Sequence, residues 1–432
     1  MRTLLANCDL GEAASVNILI DDEFISYVGK DKPAADQEFD LRGKIVIPGM
    51  IDPHVHVRDL ELKFKEDWVS ASKAALAGGV TTIIDMPNTK PATINQVALH
   101  LKRRVAEKSL VNYAFHFGAT NNNLAEINAA TNIAAIKIFM AESNASLFVG
   151  ERGRIREIFA LAKKLNKPVI VHAELQDCIN HYAKIYPHNI LNHQNIRNRE
   201  CAIKATQLLL EICTEIGNVL YLAHITTAEE IALIRQAKKN RLKIFCEVTP
   251  HHLLLAADIL EKVGNFGKTN PPLRTVADNL ALLNGIIDGT VDTIGSDHAP
   301  HTLAEKTQDY ENAPSGFPGL ETTLPLLMQE VLKKNIPLAK LMTITSKNAA
   351  NIFGIKNRGE IKAGFYADLT VIDPNTSYRI NAENFYSQAK YSPFNGFDLQ
   401  HKVVMTFING KLAFKENNFF PSKGLAIEFL EK

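Results

Sequence analysis

Two histidines two residues apart, His54 and His56 in HVHVR (54–58), close an apolar run, and on a strand that spacing points both imidazoles to one side. Two imidazoles facing one way can share a metal ion. Three more residues of ligand type end later apolar runs: His172 in VHAE, His224 in LAHIT and Asp297 in GSDHAPH. Nitrogen and carboxylate donors without thiolates suit zinc or a similar divalent ion, and a catalytic site keeps one position open for water. Coordination lowers the pKa of that water from about 15.7 to about 7, so hydroxide becomes available at neutral pH to attack an amide carbonyl.

A further oxygen donor is needed to bridge two metals, and Lys137 in AAIKIFM is the inward-facing candidate. A strand lysine ordinarily snorkels to the nearest water. Burial would instead depress its pKa, and a neutral amine can add carbon dioxide to give a carbamate, which is a carboxylate. Glu142, the nearest acidic alternative, lies five residues further on, in a loop.

These residues need a scaffold that brings scattered strand ends to one mouth. From residue 45 to about 350, short apolar β-rich runs alternate with amphipathic stretches such as 66–79 and 152–166, and alternating β and α argues for a parallel sheet. The candidate strands are 44–57, 81–87, 111–119, 134–141, 167–174, 218–226, 242–250 and 291–297. Eight β/α units over ~300 residues suit a closed (β/α)8 TIM barrel, whose active sites lie at the C-terminal strand ends. His54, His56, His172, His224 and Asp297 all fall there. Residues 1–43 are strand-like but precede the first unit, with a hairpin around Asp21, Asp22 and Glu23. The chain after 350 resumes that style, with an Asn409-Gly410 turn signal. The expected organisation is a barrel over 44–350 and one small β-sandwich domain built from 1–43 and 351–432.

With these residues in place, the chain resembles the amidohydrolase superfamily and, within it, the dihydroorotases, most of all the form found as a domain of the animal multifunctional pyrimidine-synthesis protein. The resemblance spans nearly the whole chain and is carried by PGMIDPHVHVRD, DMPNT, AAIKIFM, VIVHAE, CEVTPHHL, GSDHAPHTLAEK, GFPGLETTLPLL and YSPFNG. It implies one metal on His54 and His56, a second on His172 and His224, and a carboxylated Lys137 between them. Asp297 would contact a metal and shuttle a proton from the attacking hydroxide to the leaving ring nitrogen. The resemblance further implies that Arg58, Asn88 and His301 hold the substrate's exocyclic carboxylate, a combination hydantoinases generally lack.

The sequence departs from the animal form in three places. Asn270 in KTNPPLRT stands where that form has arginine, as in many stand-alone bacterial enzymes, so hydrogen bonding to the ring survives without the charge. Ser143 and Asn144 stand where its mobile loop carries threonine and phenylalanine, so no aromatic cap is expected. Ala223 replaces a cysteine beside a metal histidine, which leaves two divalent ions, zinc by donor chemistry, as the expected cofactors.

Composition sets the remaining bounds. The 432 residues are 46% hydrophobic and 22% charged, and 48 Lys plus Arg against 47 Asp plus Glu leave a net charge of +1. No global field favours nucleic acid or anionic membrane, so a small molecule is the expected partner. Five scattered cysteines without a CxxC pair suggest neither a disulfide framework nor a cysteine zinc site, which fits a reducing cytoplasm. No signal peptide or membrane span is read. The resemblance is compatible with a homodimer and with association with aspartate transcarbamoylase. Other cyclic amidohydrolases, hydantoinase or allantoinase, and an inactive scaffold homologue are the competing readings; the scaffold would require missing ligands, and none is missing.

Overall fold

The computed structural model describes residues 1–11, 15–141 and 147–430. Its centre is a closed parallel barrel. A three-stranded sheet joins Met50–Val55, Val80–Asp85 and Asn112–Phe115, and a six-stranded sheet runs from Phe117–Gly118 through Ile136–Phe139, Val169–His172, Leu220–Leu222 and Ile244–Val248 to Thr293–Ile294. Asn112–Phe115 and Phe117–Gly118 are one strand broken at His116, which makes eight strands. Closure comes from a parallel bridge between Val55 and His298, where the His56 N–H donates to the His298 carbonyl at 2.8 Å. Strands buried on both faces read as continuous apolar runs, which is why the alternation was visible in the sequence.

The intervening helices carry their own signals. Trp68–Ala77 starts from a capping box in which the Asp67 side chain accepts from the Ser70 N–H and the Ser70 hydroxyl faces the Asp67 N–H. Its buried face, with Trp68, Ala71, Ala74 and Ala75, lies against the outside of the barrel.

Both chain ends meet in two further sheets. One orders Phe24–Gly29, Val16–Asp21, Arg2–Cys8 and Gln37–Asp40; the other orders Asn418–Phe419, Lys411–Lys415, Lys402–Ile408, Leu369–Asp373 and Ile45–Pro48. Leu5, Ile18, Val46, Leu369 and Phe407 share one core cluster between them. The Asn409-Gly410 turn has φ of 48° and 78° at its two residues, the positive pair that a two-residue hairpin requires.

Two expectations need correction. The first candidate strand, 44–57, is two strands: Ile45–Pro48 pairs antiparallel with Leu369–Asp373 in the terminal sheet, and only Met50–Val55 enters the barrel. Gly49 separates them, and a Cβ there would lie 2.1 Å from Thr81 Cγ2, so only glycine lets the chain cross from one sheet to the other. Second, the cysteines are not all unpaired. Cys178 and Cys201 form a disulfide with Cα atoms 5.3 Å apart. Their separation of 23 residues gives no motif, because they meet only once Gln176–Ala183 docks on Arg199–Ile216.

Among the described residues no helix is long and apolar enough to cross a membrane. Ser143 and Asn144, read as part of a substrate loop, lie outside the described residues, as does Glu142.

Candidate active site

The C-terminal ends of strands one, four, five, six and eight open on one cleft, lined by His54, His56, Lys137, His172, His224 and Asp297. Arg58, Asn88 and Asn270 line the same cleft. His301 stands one contact behind, its Nε2 3.2 Å from Arg58 Nη2. Sequence positions up to 243 residues apart are thus brought within a few ångströms.

Three of the four imidazoles are oriented by a partner on the far side, whereas His224 Nδ1 has no hydrogen-bond partner among the described residues. His54 Nδ1 lies 2.8 Å from Glu247 Oε1, His56 Nδ1 lies 2.6 Å from Asn88 Oδ1, and His172 Nε2 lies 2.8 Å from Glu174 Oε2. An acceptor on one ring nitrogen fixes the proton there and frees the lone pair of the other. The freed atoms converge: His54 Nε2 and His56 Nε2 lie 3.3 and 3.0 Å from Asp297 Oδ1, and His172 Nδ1 lies 3.0 Å from His224 Nε2. Donor atoms of His54, His224 and Asp297 all fall within 4.8 Å of one another.

Electrostatics favour the same arrangement. Burial pushes His56 down to about 3 and His224 well below the ordinary imidazole value, so both stay neutral with lone pairs to give. Asp297 is held well below the usual carboxylate range: burial opposes this, but the neighbouring His54, His56 and His224 outweigh it. Lys137 is fully buried, its Nζ has no hydrogen-bond partner among the described residues, and burial lowers it to about 8 against the pull of Glu247 and Asp297. An unpartnered amine at the centre of such a donor set is costly unless something else occupies the space. The residues present therefore fit divalent metal.

The backbone is strained at the same place. His224, Asp297 and Arg58 have φ of 37°, 45° and 67°, in the left-handed region that non-glycine residues occupy at a cost on the order of 1–3 kcal/mol each. Two buried groups help hold them: the His224 N–H donates to Glu247 Oε1 at 3.2 Å, and Arg58 Nε donates to the Pro300 carbonyl at 3.2 Å.

Three orienting residues were not singled out from the sequence. Glu247 accepts from His54, from the His224 backbone and from the Tyr221 hydroxyl at 2.9 Å, all while fully buried. A carboxylate inside the apolar run IFCEV is the same kind of signal that marked Lys137, and it was there to be read. Glu174 pairs with Arg197 Nη2 at 2.5 Å behind His172; its adjacency to the VHAE histidine was visible, its arginine was not.

A closed β/α barrel with four imidazoles, three of them oriented from behind, a buried lysine and a carboxylate at one mouth defines the class of metal-type hydrolases built on this fold. Comparisons with known proteins narrow it. The amidohydrolase family model matches residues 45–413. The chain is 37% identical over 429 residues to a dihydroorotase of Methanosphaera stadtmanae, covering 96% of this chain and 97% of that one. A dihydroorotase of Methanosarcina mazei is 36% identical, with 95% and 93% covered. Among solved structures, the L-hydantoinase (dihydropyrimidinase) of Arthrobacter aurescens superposes with a TM-score of 0.94 at 29% identity, over 98% of this chain and 99% of that one. The chain belongs to the amidohydrolase family and, within it, to the dihydroorotases, hydrolases of cyclic amides.

Proposed function

We propose that the chain interconverts L-dihydroorotate and N-carbamoyl-L-aspartate in pyrimidine biosynthesis. The observation that carries this reading over a hydantoinase one is the donor group beside the ligand set: Arg58 Nη2 and His301 Nε2 3.2 Å apart, with Asn88 held against His56. Because the Asn88 oxygen accepts from His56 Nδ1–H, its amide N–H2 is the part left for substrate. A guanidinium and an amide lining the cleft, with the His301 imidazole behind the guanidinium, suit an exocyclic carboxylate, which dihydroorotate has and hydantoin lacks.

In this reading His54 and His56 would hold one divalent ion and His172 and His224 the other, zinc by donor type, and a carboxylated Lys137 would supply the further oxygen donor. Metal held there would polarise the scissile amide carbonyl and make a water-derived nucleophile available at neutral pH. Arg58 and Asn88, with His301 behind Arg58, fix the ring by its carboxylate, and Asn270, in the same cleft, donates to the ring. Asp297 accepts the proton released as the nucleophile adds and returns it to the ring nitrogen as the C–N bond breaks. Ring closure runs the same path backwards.

Steady-state assays of metal-replete protein on dihydroorotate, hydantoin and allantoin test the assignment. Turnover of hydantoin without dihydroorotate would overturn it. Removing one partner of a desolvated charge pair costs ~2–5 kcal/mol, so Arg58→Ala should lower kcat/KM for dihydroorotate by roughly 30-fold to several thousandfold. Metal content should stay at the wild-type level, and normal turnover by this variant would remove the carboxylate assignment.

Glu247 supplies a second test, of the metal. Losing the charge that backs a metal-binding imidazole typically weakens affinity by about 10- to 100-fold. Competition with a graded chelator should show that shift for Glu247→Gln, while an unchanged titration would mean that Glu247 serves packing alone.

A further inference from the structure

Asn270 is held from behind by residues that no role yet covers. His193, in the short helix His193–Ile196, is buried at 3% exposure. Its Nε2 lies 2.9 Å from the Thr269 carbonyl oxygen and 3.0 Å from Asn270 Oδ1, and its Nδ1 lies 2.8 Å from the Tyr310 hydroxyl. A backbone carbonyl can only accept. The imidazole proton must therefore sit on Nε2, and Nδ1 accepts from the Tyr310 O–H.

That assignment settles which end of the Asn270 amide faces inward. An amide nitrogen opposite an Nε2–H would set donor against donor, so the atom there is the oxygen. The same oxygen accepts from the Ser315 hydroxyl at 3.0 Å, which occupies its second lone pair. The amide nitrogen is left facing the cleft that also holds His172 and Asp297. Burial, reinforced by the nearby Arg197 charge, pushes His193 down to about 3, so the ring stays neutral across the working range.

We propose that His193, ordered by Tyr310, is a positioning residue that locks Asn270 with its two N–H donors toward the substrate. This wall then reads a carbonyl-type oxygen of the ring and rejects a ring N–H at the same point, since a flipped amide would leave His193 Nε2–H facing a donor. The inference deepens the dihydroorotase reading and rests on it for the choice of probe. In this enzyme it replaces with geometry part of what a cationic side chain at position 270 would supply with charge.

The tests use full-length, metal-replete protein and dihydroorotate. One neutral hydrogen bond lost from an oriented donor corresponds to roughly 3- to 10-fold, so His193→Phe should raise KM by about that factor with kcat nearly unchanged. His193→Gln, which can still donate to the Thr269 and Asn270 oxygens, should recover most of the loss. In an Asn270→Ala background His193→Phe should add nothing, because the amide it positions is gone. Additive effects in that double variant, or a loss confined to kcat, would overturn the proposal. Tyr310→Phe keeps the packing and gives the same reading should His193→Phe fold poorly, with a smaller rise in KM expected. The ring ¹⁵N shifts of His193 in the wild type provide a readout independent of turnover: an Nε2-protonated ring is expected, and an Nδ1-protonated one would overturn the relay. Those shifts judge His193 even if dihydroorotate proved not to be the substrate.

Discussion

Lys137→Ala is expected to abolish nearly all turnover, by on the order of 10³-fold or more, because it removes several kcal/mol of transition-state stabilisation that rest on a paired metal site. The lysine has nowhere to put its charge. Its side chain is fully buried, and its Nζ, 4.9 Å from the Phe139 ring centroid, has no hydrogen-bond partner among the described residues. At a pKa of about 8, roughly one amine in ten is neutral at pH 7, against about one in 3,000 at an ordinary value near 10.5. Neutral amine is the form that adds carbon dioxide, so the barrel creates the reactant as well as the space. Alanine leaves that space empty. A small carboxylic acid such as acetate or propionate should then restore part of the activity in a concentration-dependent way, and the variant's metal content should rise with it. Electron density at Lys137 in active, metal-replete wild type should extend beyond Nζ as a carbamate; an unmodified ammonium there would remove the bridge from the mechanism.

The sequence revealed Lys137 and the metal-type histidines for the same physical reason. A polar or charged residue inside an apolar run stands out, and a strand end repeats at intervals that β/α alternation makes visible. Glu247 carries the same signature and went unassigned because a single carboxylate on strand seven has no spaced partner of the HxH kind; its function is defined by His54, 193 residues away. The pairing of Arg58 with His301 was available only through family resemblance, since nothing in local pattern joins residues 243 apart. His193 was more deeply hidden still. Its helix is four residues long, too short for periodicity to register, and its meaning depends on a carbonyl and an amide 76 and 77 positions downstream. The split of the first strand at Gly49 was invisible for the opposite reason: Ile45–Pro48 and Met50–Val55 run on as one largely buried stretch, and only their partners tell them apart.

Asp297→Asn should separate proton transfer from metal binding. Asparagine keeps the shape and one oxygen, so it can still occupy the place 3.0 Å from His56 Nε2 and 3.3 Å from His54 Nε2, but it cannot take up a proton. General acid–base catalysis by one positioned side chain is worth about 10²- to 10⁴-fold, and kcat should fall by that amount in both directions of the reaction. KM for dihydroorotate should move little, because the carboxylate grip of Arg58, Asn88 and His301 is untouched. Lost charge beside the ions should also weaken metal retention, so the rates belong with protein whose metal content has been measured and restored by added zinc. The strained backbone sharpens the test. With φ at 45°, the Asp297 side chain is aimed into the cleft by the main chain itself, and the isosteric amide inherits that aim. A metal-replete Asp297→Asn protein that retained more than about a tenth of wild-type kcat would fall outside that range, and the proton-carrying role would have to pass to another group at the mouth.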